Sequence, residues 1–148
     1  MYGHAMPWQH RLRVMQTVVG AVVRHSRPLA AYCNTAQKWS RPEDAASRDA
    51  FINVRMFDAA GDEPGEAVMD SLGLHAFDLP DVEALISDTD PGAVAGSLYD
   101  IANRILKEGD HIADGDTVGP TASGHWRCRR ATSRIAPQRP VLRLTTAG

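Results

Sequence analysis

The chain has 148 residues, of which 43% are hydrophobic and 23% charged, with a formal net charge of −2. A chain of this length fits a single domain over residues 1–148 able to bury roughly two-thirds of its unfolded surface, and its composition excludes wholesale disorder. Cys33 and Cys128 are too few for a disulfide framework and lack metal-ligand spacing, which reads as two reduced thiols in a cytoplasmic setting.

The small net charge hides a segregation. Residues 1–57 carry eight Lys/Arg and three Asp/Glu, residues 58–116 two and fifteen, and residues 117–148 six and none, so the three segments stand at +5, −13 and +6. So acidic a middle argues against nucleic acid as the main partner, because phosphate binding needs a coherent basic face. The tail arginines, 127, 129, 130, 134, 139 and 143, would suggest such a face only in isolation. The better reading is that acidic and basic segments complement each other inside one fold or across an oligomer interface.

Trp8, Leu12, Met15, Val19 and Val22 recur at helical spacing and predict an amphipathic helix, with Pro7 at its start and Pro28 just beyond its end. Within it, Arg11 to Val23 is the nearest thing to a signal peptide. Gln16 and Thr17 interrupt it, no small-x-small cleavage site follows, and the apolar run is too short for a bilayer, so neither secretion nor membrane insertion is expected. Leu29–Cys33 reads as a short buried strand. Ser40 with Glu43 forms a capping-box pattern that predicts a short helix over Arg41–Ala50. Ile52, Val54 and Met56 alternate with polar residues as a half-buried strand does.

Residues 58–65 turn to Asp, Gly, Glu and Pro and read as an exposed loop. Val68–Ala76 and Val82–Ile86 predict two strands of a hairpin joined through Phe77–Asp81. Asp90 caps and Pro91 opens a helix with the stripe Val94, Leu98, Ile101 and Ile105, ended by Gly109. His125–Ala131 and Val141–Thr145 are the last strands, separated by a turn holding Pro137 and Pro140. The expected fold is α+β, with an antiparallel or mixed sheet of about five to six strands, two long helices on one face and one short helix.

The stretch Gly73-Leu-His-Ala-Phe-Asp-Leu-Pro-Asp-Val-Glu83, the helix after it and Asp114-Gly-Asp-Thr-Val-Gly119 together resemble the bacterial domain-of-unknown-function family 4261. Its members show a Gly-Leu-x-x-Phe-Gly-x-x-Glu hairpin, a helix and an Asp-Gly-x-Thr-x-Gly turn. The resemblance runs from the first helix to the last strand and implies no established activity. Asp78 stands where the family has Gly, and Asp enters positive φ less readily. The family also carries a further stretch upstream. Its absence here implies missing sheet partners and an open edge, and from these a homodimer or larger assembly is expected.

Asp110-His-Ile-Ala-Asp-Gly-Asp-Thr-Val-Gly119 is the densest run of chemistry-bearing residues, and its candidate ligand-binding residues are His111, Asp114, Asp116 and Thr117. Its spacing fails as an EF-hand, because Ile112 fills a ligand slot and Thr121 stands where a bidentate Glu is needed. A catalytic metal site would combine His111, Asp114, Asp116 and His75, but no spacing requires a metal or other cofactor. The competing structural reading is a turn at Asp114-Gly115 in which Asp116 or Thr117 bonds backbone amides.

Cys128 among arginines, with His125 nearby, is a candidate reactive pair, weakened because three residues on a strand send the two side chains to opposite faces. Ser71, Ser97 and Ser123 lack a nucleophile-elbow context. Glu83 is expected to be solvated or paired with a tail arginine, Trp8 to be core and Trp39 an exposed contact. The expected function is a non-catalytic binding or interaction module, one that neutralises or scaffolds a protein partner through its acidic middle segment or binds a second copy. The alternative is a small hydrolase, metal-dependent in one version, centred on residues 110–119.

Overall fold

A computed structural model describes residues 6–58 and 66–146. Apart from Asp58, the loop expected over residues 58–65 lies outside them, as does His4. The elements in chain order are α1 (Trp8–Ser26), β1 (Ala31–Cys33), β2 (Lys38–Ser40), β3 (Asn53–Asp58), β4 (Ala67–Leu72), β5 (Asp81–Ile86), α2 (Pro91–Glu108), β6 (Thr117–Thr121), β7 (Gly124–Thr132) and β8 (Pro140–Thr146). The main sheet has the order β3-β4-β5-β8-β7-β6, with β5 and β8 parallel and every other pair antiparallel. β1 and β2 form a separate ribbon. This is the expected α+β class with a mixed sheet.

α2 crosses the sheet because its sequence caps and patterns it for that place. The Asp90 carboxylate accepts from the amides of Gly92 at 3.3 Å and Ala93 at 3.1 Å, and Gly109, at φ 97°, ends the helix. Its buried stripe of Val94, Leu98, Ile101 and Ile105 joins Met69, Val82, Ala84, Leu142 and Leu144 from the strands in one apolar cluster. Because side chains alternate along a strand, the intervening residues Arg55, Asp70, Glu83, Arg143 and Arg129 occupy the opposite face.

α1 is less deeply packed than its stripe predicts. Leu12 is its one buried residue and Trp8 is partly buried against the cluster, whereas Met15 and Val22 are exposed. α2 already covers the middle of the sheet, so α1 lies at its margin beside a 3₁₀ turn over Leu74–Phe77. Gln16 holds it there by donating to the Ala46 carbonyl at 2.9 Å, as does the ion pair of Arg11 with Asp78.

Other expectations need correction. The short helix over Arg41–Ala50 is two 3₁₀ turns, Pro42–Asp44 and Arg48–Phe51, and Ser40 caps neither. Ser40 is instead paired with Ala31 in the ribbon, which removes it from the capping position. Leu29 lies outside β1 and is fully exposed, so this strand is a surface ribbon rather than a buried one. β2 and β6 were not anticipated. In β6 the Gly119-Pro120 pair reads as a breaker, but an edge strand tolerates a proline that a central strand excludes.

The strand expected to run to Ala76 stops at Leu72, because Gly73 turns at φ 135°, where a Cβ would stand 1.9 Å from the Phe51 carbonyl oxygen. Asp78 then takes φ 58° and ψ 30°, a left-handed conformation that Asp enters less readily than Gly. Gly73→Ala is expected to lower unfolding free energy by more than about 3 kcal/mol in urea melts, through strain that no side-chain movement relieves.

Candidate functional site

The three carboxylates of residues 110–119 are all hydrogen-bonded, two of them to Arg130 of β7. The Asp110 carboxylate takes both terminal nitrogens of Arg130, at 2.6 and 2.7 Å, and Arg130 also donates to the Ile112 carbonyl at 2.7 Å. Asp114 Oδ1 accepts from the Arg130 amide at 2.6 Å, and Asp116 Oδ2 accepts from the Ala113 amide at 2.8 Å. The main chain adds Gly115 N–H to Cys128 and Cys128 N–H to Asp116, which fastens the loop to β7. His111, Asp116 and Thr117 line a depression of about 110 Å³ together with Arg104 and Glu108. Asp114 is not on it, and His75 lies elsewhere, bonded to Asp81. Among the described residues, no three His, Cys, Asp or Glu side chains gather closely enough to hold a metal ion.

The densest charge chemistry lies instead under the face away from α2. Asp70, Asp81 and Glu83 are fully buried. Arg139, also buried, donates from Nε to Asp81 at 2.9 Å and from Nη2 to Asp70 at 2.7 Å and the Ser71 carbonyl at 2.8 Å. Its Nη1 meets the carbonyls of Pro137 at 2.8 Å and Ile135 at 3.3 Å and the Ser133 hydroxyl at 3.1 Å. Arg55 forks onto Asp70 from the neighbouring strand, at 3.0 and 2.6 Å. Ser71 donates to the second oxygen of Asp81 and accepts from the Val82 amide.

Glu83 was expected to be solvated or paired with a tail arginine. The pairing is found, the solvation is not: Glu83 accepts from Arg143 Nε at 3.0 Å, from the Ser133 hydroxyl at 3.1 Å and from the Arg134 amide at 2.7 Å. The segment between β7 and β8 folds over it, closing off water. Acidic middle and basic tail therefore complement each other within one chain, through Asp70, Asp81, Glu83 and Asp110.

Arg139 was missed in the sequence as an individual residue. Its signal was Asp70 and Asp81, two acids in otherwise apolar strands that demand a buried cation.

Beyond this cluster the same face is open. His125, Arg127 and Arg129 stand along β7 at spacing two, all exposed. Arg129 is directly opposite Arg143, and Arg127 opposite Thr145. Among the described residues, Arg127, Arg129 and Arg134 form no ion pair. Where β5 and β8 end, a cavity of about 430 Å³ is lined by Leu85, Ser87, Thr89, Arg134, Arg143 and Thr145.

The nucleophile candidates are spent elsewhere. Burial, and secondarily the Asp116 carboxylate, pushes the Cys128 thiol up to about 11, and its side chain faces the core while His125 is exposed. Ser97 and Ser123 share a hydrogen bond at 2.6 Å and with Thr121 and the Trp126 indole tie the β6–β7 turn to α2.

Fold and site together define an α+β domain with both helices on one side of its six-stranded mixed sheet and an arginine-rich face on the other. The chain belongs to the family described as Domain of unknown function (DUF4261), which matches residues 70–145. The match begins at β4 and ends in β8, so it holds Asp70, Asp81, Glu83, Arg139 and Arg143 but leaves α1, the ribbon and β3 outside, a shorter reach than the motifs alone implied. No curated protein and no solved structure matches the chain.

Arg139→Met leaves buried Asp81 without an arginine and Asp70 with Arg55 alone, and is expected to cost about 3–5 kcal/mol in denaturant unfolding, against less than about 0.5 for exposed Arg129→Met. With Ellman's reagent at mildly alkaline pH, Cys128 is expected to stay unreacted in the folded protein, so that no more than one thiol is counted before denaturation and two after. The Arg11 guanidinium, donating to Asp78 and adding its charge, holds the Asp78 carboxyl below the usual carboxylate range. Its NMR titration midpoint is expected below 3.8, rising in Arg11→Leu. The ion pair therefore helps α1 docking at neutral pH and is lost as pH falls through that lowered midpoint.

Proposed function

We propose that this protein is a non-catalytic interaction module of the bacterial cytoplasm that holds an acidic protein surface against the open face of its sheet. The observation that carries this is the row of exposed, unpaired guanidinium groups of Arg127 and Arg129, with Arg134 beside the cavity at the ends of β5 and β8. A sheet with helices on one side only leaves its second face for solvent or a partner. Arginine is suited to that partner, since its planar fork binds carboxylates in pairs of hydrogen bonds. The cavity volume of about 430 Å³ falls within the range of ligand pockets and accommodates an acidic side chain of the partner.

This puts a basic contact surface in place of an acidic one, because three carboxylates of the middle segment are buried and three more are paired with arginines. Two free cysteines support a reducing compartment. A small hydrolase at residues 110–119 has thinner support: Asp114 is engaged by the Arg130 amide, and His111, Asp116 and Thr117 border only a small depression.

Fluorescence anisotropy with labelled polyglutamate at low salt tests the proposal. Binding is expected, weakened at least tenfold by joint replacement of Arg127, Arg129 and Arg134 with Ala, and unchanged by Lys107→Ala on α2. No binding, or equal loss in the control, would overturn it. Tighter binding of single-stranded DNA than of polyglutamate would instead make nucleic acid the partner.

A further inference from the structure

We propose that two copies of this chain associate through α1, packed antiparallel about a two-fold axis at Val18. Val14, Val18 and Val22 are 40%, 54% and 56% exposed, and Met15 beside them 40%. Their spacing of four sets them on one ridge of the helix, the kind that packs into the grooves of a facing helix. Leu12, the buried residue, lies about a third of a turn from Val18 at 100° per residue, so the ridge is an apolar surface beside the one with which α1 docks.

The charges along the ridge favour a second copy and set its direction. Between residues 8 and 26 the helix has no acid, and its basic residues nearest the ridge are at the two ends, Arg11 and His25. A parallel pair would place Arg11 against Arg11 and His25 against His25. An antiparallel pair with Val18 on the axis sets Val14 against Val22 of the second copy and position 11 against position 25. Arg11 carries there the Asp78 carboxylate, whose side chain is 70% exposed, so His25 of the second copy meets a carboxylate at both ends of the contact. Such a surface complements itself, as a closed two-fold contact requires.

A lipid surface fits less well. Arg13 and Arg24 stand about a third of a turn or more away from the ridge, at 100° per residue, and so would not face the headgroups with it. Trp8, the aromatic residue of the helix, is partly buried against the core.

Sedimentation velocity at micromolar concentration is expected to give twice the chain mass. Val18→Glu, which brings two carboxylates together on the axis, is expected to give the monomer with an unchanged thermal midpoint. In a Cys33→Ser background, Val18→Cys is expected to cross-link to itself on mild oxidation, while Val14→Cys alone does not. A monomer at all concentrations, a dimer indifferent to Val18→Glu, or efficient Val14→Cys self-linking would each overturn the proposal. So would binding of the monomer to phosphatidylglycerol vesicles through the same ridge. Polyglutamate binding by the opposite face is expected to survive Val18→Glu, which keeps failure of this contact distinct from failure of the arginine face.

Discussion

The fold depends on one buried guanidinium. Asp70 on β4 and Asp81 on β5 are shielded from water and need a fixed cation; Arg55 meets part of that need at Asp70, but holding both acids takes a guanidinium that reaches each of them. Arg139 supplies it just before β8 and in the same step satisfies backbone carbonyls of the segment over Glu83. Apolar groups of the same volume can hold strands together equally well; the ionic version specifies which strands meet. β8 lies beside β5, in parallel, where Arg139 reaches both carboxylates.

That arrangement makes the two sides of the sheet chemically different. One side is a continuous apolar layer under α2, joined at its margin by α1. The other has its acids sunk and sealed while arginines remain at the surface, so a chain with slight net negative charge presents a locally basic face. The balance of charge along the sequence says little about the balance on a surface, because burial removes carboxylates and arginines unequally.

Much of the architecture was legible from periodicity and caps. α2 follows from Asp90, Pro91 and its apolar stripe, and the β4–β5 hairpin from the apolar runs on either side of the Gly73–Asp81 turn. Ser40 misled because its cap pattern competes with strand pairing to Ala31, a contact that local spacing cannot register. Proline at position 120 hid β6 for a similar reason, since only position at the sheet edge makes it acceptable. Of the candidate residues, Asp116 does bond a backbone amide, whereas Thr117 begins β6, opposite Arg127. The partner of each buried acid was beyond local reading, as sequence names the charge deficit but not which of six arginines enters the core.

Asp70 and Arg139 are separated by sixty-nine positions. During synthesis the β4–β5 hairpin is therefore complete long before its counter-ion leaves the ribosome. Until then Asp81 lacks its arginine and keeps that end of the hairpin hydrated and unfit for a dry interior. Closure of the domain waits on Arg139 and β8, so a nascent chain interrupted before residue 139 is an open substrate for chaperones and proteases rather than a nearly finished domain.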